Sequence, residues 1–432
     1  MSKRLSNLKE QQKFKIVSLG CRTNQYESQA YTDQLLAKGY REAKEGEEAD
    51  LCIVNTCTVT ESADSSSRHE IRALARQYPN AQIVVTGCFA ERAPDEVKQL
   101  PQVSLIVPNQ DKERLLSLAL PEEEWPEFSI RHFEAHTRAF VKVQDGCNSF
   151  CTYCIIPYVR GRSRSRSIAS IVEEALGLIA NGYQEIVLTG INIGDFDGAP
   201  EEGEKPSRLV DLVRAIDVLP GLKRLRISSI DPDEVDDELL QAVLHGKTTC
   251  HSMHIVLQSG SNVVLKKMNR KYTREIFIEA IDRIRKESHD FTFTTDIIVG
   301  FPGETDRDFQ DTLDLMEYVH FAKVHMFPYS PRARTRAALY PNRVEPVVMQ
   351  ARKQQVLRHA ERQAFELRQR FIGRRMAVLF ENSTNDQGQI SGHTANFLPV
   401  FVDRTDERAH AIRDVEILSN HPHGLYGRVI TV

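Results

Sequence analysis

Short runs of β-branched and aromatic residues alternate with longer amphipathic stretches through most of this chain. Up to residue 135, Phe14–Leu19, Leu51–Val54 and Gln82–Val85 are apolar on both faces, as strands of a covered parallel sheet are. Amphipathic stretches at Tyr26–Lys38 and Ser65–Tyr78 lie among them, so this section is expected to be an N-terminal doubly wound parallel sheet of the α/β class. Between 136 and 342 the rhythm repeats six times, with strands expected at Phe140–Val143, Glu185–Leu188, Arg224–Ser228, His254–Leu257, Thr295–Val299 and Val324–Phe327. Ile168, Ile171, Val172, Ala175, Leu176 and Ile179 form one helical stripe, and Thr305 to Asp308 read as a capping box that opens another helix. Six βα units are too few for an eight-stranded barrel, so a partial (βα)6 barrel is predicted. A long basic helix is expected from Val344 to Phe371, ending near Gly373. Beyond it, Met376–Phe380, Asn396–Val402, Val415–Leu418 and Tyr426–Ile430 predict a small antiparallel β-barrel. The expected domains are 13–135, 136–366 and 367–432.

A chain of 432 residues suits two or three domains, and 41% apolar with 27% charged content is that of a globular protein. No apolar run reaches bilayer length, and Met1–Glu10 lacks a signal-peptide core. A cytoplasmic protein without a membrane partner is expected, in which clustered cysteines hold metal more often than they pair. The net charge of −4 makes no global case for nucleic acid, so any such surface has to be local.

Candidate chemistry begins with Cys147, Cys151 and Cys154, spaced C-x3-C-x2-C just after a predicted strand. A closed zinc site takes four ligands, whereas three thiolates suit a four-iron cluster with one iron open to a small molecule. His251 and His254 are the residues that could complete a zinc site instead. Cys21, Cys57 and Cys88 each follow one of the first three strands. In an open parallel sheet all strand ends of one kind share an edge, so these three are expected to meet as a second three-thiolate site. Cys52 and Cys250 are assigned to packing. Strand ends at Gly190 and Asn192, Ser228, Gln258, and Gly300 with Pro302 share the mouth with the cysteine loop and, with Tyr153, are candidates for cradling a cofactor. Arg160, Arg162, Arg164, Arg332 and Arg334 are candidate contacts for a polyanion such as RNA.

These segments together resemble the methylthiotransferases, radical S-adenosylmethionine (SAM) enzymes, from about Lys15 to the end of the chain. The resemblance rests on Leu19-Gly-Cys21-Arg-Thr-Asn24, Asn55-Thr-Cys57-Thr-Val59, Val85-Thr-Gly-Cys88, Asp145-Gly-Cys147 through Cys154-Ile-Ile-Pro157 and the following Arg160-Gly-Arg162, Leu257 to Ser261, and Gly300-Phe-Pro-Gly-Glu304. Gly392 to Phe397 is similar to part of a TRAM domain, a small RNA-binding barrel. The resemblance implies that Cys147, Cys151 and Cys154 hold a [4Fe-4S] cluster that cleaves SAM to a 5′-deoxyadenosyl radical, while Cys21, Cys57 and Cys88 hold an auxiliary [4Fe-4S] cluster that carries the sulfur. It implies an anticodon stem-loop of tRNA as partner and an electron donor such as flavodoxin or ferredoxin. Asn24 to Gln29 is similar to the branch that methylthiolates C2 of N6-threonylcarbamoyladenosine at tRNA position 37. The isopentenyladenosine branch, the branch acting on a ribosomal-protein aspartate, and a non-catalytic metal-stabilised RNA-binding protein are the alternatives.

Overall fold

The computed structural model describes residues 11–132, 137–385, 387–403 and 411–430. The first ten residues, the expected boundary at 135/136 and the last two residues lie outside these. The described residues form two compact units: one runs to Arg131 and includes Tyr158–Arg160, the other takes His132–Pro157 and everything from Gly161 onward. The expected second and third domains therefore share one unit.

In the first unit a five-stranded sheet runs in the order Arg41–Glu42, Lys13–Ser18, Leu51–Thr56, Gln82–Gly87, Val103–Val107, with every pair parallel. The side chains split by period two. Cys52, Val54, Ile83 and Val85 join Ile71 and Leu74 of the helix Glu61–Gln77 on one face. Leu51, Ile53 and Val84 meet Tyr31 and Leu35 of the helix Arg22–Ala37 on the other. Both faces are covered, which is why these strands carry almost unbroken apolar runs. Cys52 lies fully within the first of these cores, as expected of a packing cysteine.

The second unit opens with six parallel strands, Ala139–Lys142, Glu185–Thr189, Arg224–Ile227, Ser252–His254, Thr292–Val299 and Lys323–Pro328. They form two three-stranded sheets in sequence order, joined by parallel bridges from Leu225 to Thr249 and from Ile230 to Ile255. This is the expected partial barrel. The capping box is present: Thr305 Oγ1 accepts from the Asp308 N–H at 3.2 Å and the Asp308 carboxylate accepts from the Thr305 N–H at 2.9 Å. The stripe on Ile168–Ala180 is rotated from its expected position. Ile171, Ala175 and Leu178 are buried with Glu174, whereas Leu176 is exposed. Arg166 explains the rotation, since it holds Glu174 at 2.6 Å and makes a charged position part of the packed face.

Residues Arg375–Thr384, Ile390–Thr394, Pro399–Val402, Ile412–His421 and Gly424–Val429 close a five-stranded barrel. It is not purely antiparallel, because Pro399–Val402 pairs parallel with Gly424–Val429. Leu367 and Phe371, from the end of the helix Pro346–Gln369 and just beyond it, pack with Val378, Val400, Val415 and Leu425 in its core. Arg224 donates to the carbonyls of His393 and Ala377 at 2.9 and 2.7 Å, and Arg226 to that of Ala395 at 3.1 Å. Glu185 sits between these two arginines. Burial would raise its pKa, but Arg226, Arg138 and Arg224 outweigh that and bring it down to about 2. This buried ionic seam ties the small barrel to the strands of the partial barrel and accounts for their being one unit.

Candidate functional site

The cysteine loop is built by backbone constraints before any ligand is considered. Gly146, at φ +75°, packs so tightly on the Arg162 carbonyl that a Cβ has no room. Cys147 N–H donates to the Gly161 carbonyl at 3.1 Å, and Asn148 N–H to Asp195 at 3.2 Å. Thr152 anchors the far side of the loop, donating through its N–H to the Met268 carbonyl at 2.9 Å and through its hydroxyl to the Lys267 carbonyl at 2.8 Å. Gly146→Ala is therefore expected to displace the loop and to lower the iron bound after anaerobic reconstitution. Wild-type iron content in that variant would show that the loop tolerates the shift.

Cys147, Cys151 and Cys154 line one pocket of about 210 Å³, together with Tyr153, Asn192 and Gln258. The same lining contains Ser229 of the expected Ser228–Ser229 strand end, and Asp231, Arg270 and Asp296, which sequence reading did not single out. Of the other expected cradle residues, Gly190 and Ser228 are each one position from a lining residue, and Gly300 and Pro302 are absent from the lining. The Gly300 turn has a structural task. Its N–H donates to Glu304 at 2.8 Å, and Glu304 holds Arg352 of the long helix at 2.7 Å.

Arg270 joins the pocket to the cysteine sulfurs. Its Nη1 lies 3.0 Å from Cys151 Sγ, its Nη2 pairs with Asp231, and its guanidinium covers Tyr272 at 4.7 Å. Burial pushes the Cys154 thiol up to about 12, with Cys151 adding to the shift, and burial likewise raises Cys147. Without a bound metal such thiols stay protonated near neutral pH, so metal binding has to release protons. Ser149 Oγ, Gln258 Oε1 and Arg270 Nε are buried without a hydrogen-bond partner although their residues line the pocket. Buried polar groups are rarely left so in a native protein. Three thiols and these polar atoms around one cavity fit a cluster with a polar small molecule beside it.

The zinc reading finds less support. His251 and His254 are outside the pocket lining. His251 is hydrogen-bonded to the Leu244 carbonyl and Ser288, and His254 to Thr294. Among the described residues, no three His, Cys, Asp or Glu side chains close around a point as a single metal ion requires.

In the first unit Cys21, Cys57 and Cys88 do come together at the carboxyl ends of three neighbouring strands. A Cβ on Gly20 would stand 2.7 Å from Cys57 Sγ, so the Cys21 turn and the Cys57 sulfur are in contact. Burial pushes Cys57 up to about 11, and both Cys88 and Cys21 contribute to that shift. Asn24 ties the turns, its Nδ2 donating to the carbonyls of Leu19 at 2.6 Å and Thr56 at 3.1 Å. Arg160 corrects a sequence expectation. It is buried, donates to Asn24 at 2.5 Å and Glu27 at 3.2 Å, and sets its positive charge near the Cys88 sulfur. An arginine so enclosed has no RNA-facing surface. Lys112, also buried, pairs with Glu27 as well.

The remaining arginines divide. Arg162, Arg164 and Arg334 are exposed, whereas Arg332 is buried and so does not face a polyanion either. On the long helix, Arg352 and Arg368 are buried structural donors, and Arg362 pairs with Glu317 at 2.6 Å. The charge run thus overstated the accessible basic surface. Among the described residues no helix is long and apolar enough to cross a membrane.

Comparison with known proteins agrees with this architecture. The radical SAM superfamily profile matches residues 141–316, and that of Uncharacterized protein family UPF0004 matches residues 13–108. A threonylcarbamoyladenosine tRNA methylthiotransferase, MtaB, of Chlamydia pneumoniae is 48% identical over 89% of this chain and 90% of its own. The MtaB of Bacillus subtilis strain 168 is 35% identical over 96% of both chains. Among solved structures, the radical SAM methyltransferase TsrM from Kitasatospora setae shares the fold at TM-score 0.56 and 15% identity, covering 87% of this chain and 81% of its own. The chain belongs to the radical SAM methylthiotransferase family, on its MtaB branch.

Proposed function

We infer that this protein is a cytoplasmic enzyme that transfers a methylthio group to C2 of N6-threonylcarbamoyladenosine at position 37 of tRNA. The observation that carries the reading is the convergence of Cys147, Cys151 and Cys154 on one polar pocket at the barrel mouth. It is joined by a second trio of cysteines at the strand ends of a separate unit, in a chain 48% identical to an enzyme named for that reaction.

Cys147, Cys151 and Cys154 would hold one [4Fe-4S] cluster and Cys21, Cys57 and Cys88 another; with SAM, these supply the radical and the sulfur that an unreactive aromatic C–H bond demands. The protein's own part is geometric and electrostatic. Arg270 places a fixed positive charge 3.0 Å from the Cys151 sulfur, and Asp231 holds the guanidinium in place. Asn192, Gln258 and Ser229 offer the hydrogen bonds that orient an adenosine and an amino-acid group. Val256, Ile191 and Ile156 supply apolar walls that limit water. Exposed Arg162, Arg164 and Arg334 are the contacts proposed for the anticodon stem-loop, and a flavodoxin or ferredoxin is the proposed electron donor.

Mass spectrometry of tRNA nucleosides from cells with and without the gene tests the substrate. Loss of 2-methylthio-N6-threonylcarbamoyladenosine is expected, with its N6-threonylcarbamoyladenosine precursor accumulating. Loss of the methylthiolated isopentenyladenosine instead would move the protein to the neighbouring branch, and unchanged tRNA would redirect attention to a protein substrate. Iron and sulfide analysis should give about eight irons per chain, whereas bound zinc would support a non-catalytic scaffold.

A further inference from the structure

Five hydrogen bonds converge on the side-chain amide of Gln144, which is 1% exposed and adjoins the cysteine loop. Its Oε1 accepts from the backbone N–H groups of Ile191 and Asn192, both at 3.0 Å. Its Nε2 donates to the carbonyls of Asp145 at 3.1 Å and Gly146 at 2.7 Å, and to Ser163 Oγ at 2.8 Å. Ile191 and Asn192 line the cysteine pocket, while Gly146 leads directly into Cys147. Gly190 is pressed on the same amide: a Cβ there would stand 2.9 Å from Oε1.

A primary amide alone among side chains combines an oxygen for two acceptances with two N–H groups to share among three acceptors. A carboxylate would lose the donating half, and a thioether both halves. The geometry points to Gln144 as a positioning residue: its oxygen fixes the Ile191–Asn192 wall that SAM would touch, and its nitrogen fixes the loop that carries the first cluster ligand. This rests on the SAM-binding reading of the pocket above. A purely structural glutamine would stabilise the fold without setting how the pocket receives SAM.

The test compares reconstituted full-length wild type with Gln144→Glu, Gln144→Met and Gly190→Ala. SAM affinity is measured by calorimetry, the SAM-dependent change in the electron paramagnetic resonance spectrum of the reduced cluster is recorded, and iron loss to a chelator is timed. Gln144→Met is expected to raise the SAM Kd at least about tenfold and to speed iron loss. Gln144→Glu keeps the oxygen side, so its Kd should stay within about threefold of wild type while iron loss accelerates and the spectrum changes. Gly190→Ala intrudes on the oxygen side and should raise the Kd with iron loss near the wild-type rate. The proposal is overturned if all three variants bind SAM and hold iron as wild type does, or if their defects follow the fall in melting temperature alone. Should Gln144→Met fail to fold, the opposite signatures expected of the other two decide the matter. If the wild type itself holds no iron or binds no SAM, it is the functional reading of the pocket that fails.

Discussion

Cys151→Ala is expected to reduce SAM cleavage more than about a thousandfold, equivalent to about 4 kcal/mol in the barrier, and to abolish methylthiolation with it. Cys57→Ala is expected to leave SAM cleavage in place while product formation falls by a similar factor. The separation follows from where the sulfurs lie. Cys151 belongs to the pocket that also holds Arg270 and Gln258, in the second unit, whereas Cys57 packs on Gly20 among the strand ends of the first. Each unit has its own core, so removing a thiol from one leaves the packing of the other intact. Liquid chromatography of 5′-deoxyadenosine and of the modified nucleoside in one reaction measures both activities at once. Equal loss of both products in the two variants would mean that the trios do not divide the work.

The sequence made the cysteines legible because spacing and strand position are local signals. Gly-Cys after an apolar run marks a strand end, and three strand ends of a parallel sheet share an edge whatever their separation in sequence. Tyr153, Asn192 and Gln258 were readable for the same reason. Arg270 and Asp231 were not: Arg270 lies at no strand end, and Asp231, though just past the strand Arg224–Ile227, gains its role only when tertiary packing sets the guanidinium beside Cys151. Arg160 shows the opposite failure. It stands in a run of alternating arginines that reads as a contact for a polyanion, yet it is fully enclosed against Glu27, a residue 133 positions away. The strand Ile390–Thr394 was missed because Ser391, Gly392 and His393 give no apolar alternation. Its place is set by pairing on both sides within a closed barrel.

That buried arginine leads to the largest stability effect expected here. Glu27 is inaccessible and receives Lys112, Arg160 at 3.2 Å and Asn55 at 3.1 Å. Glu27→Ala removes the carboxylate shared by two buried cations, and breaking such a set from one side costs about 3–5 kcal/mol because the remaining charges keep their desolvation penalty. Burial already lowers the pKa of Lys112, and Glu27 is what opposes that fall, so the variant favours the uncharged amine. Deprotonation relieves part of the loss, which should make the defect smaller as pH rises toward the ordinary lysine range. The protein has a single tryptophan, and Trp125 packs against the core of the first unit, so its fluorescence reports that unit alone. Urea unfolding followed by this signal should show the midpoint of the Glu27→Ala protein falling sharply while circular dichroism retains a later transition from the barrel unit. An unshifted fluorescence midpoint would mean that the ion set contributes no net stability, and that Glu27 is there to hold Arg160 beside Cys88.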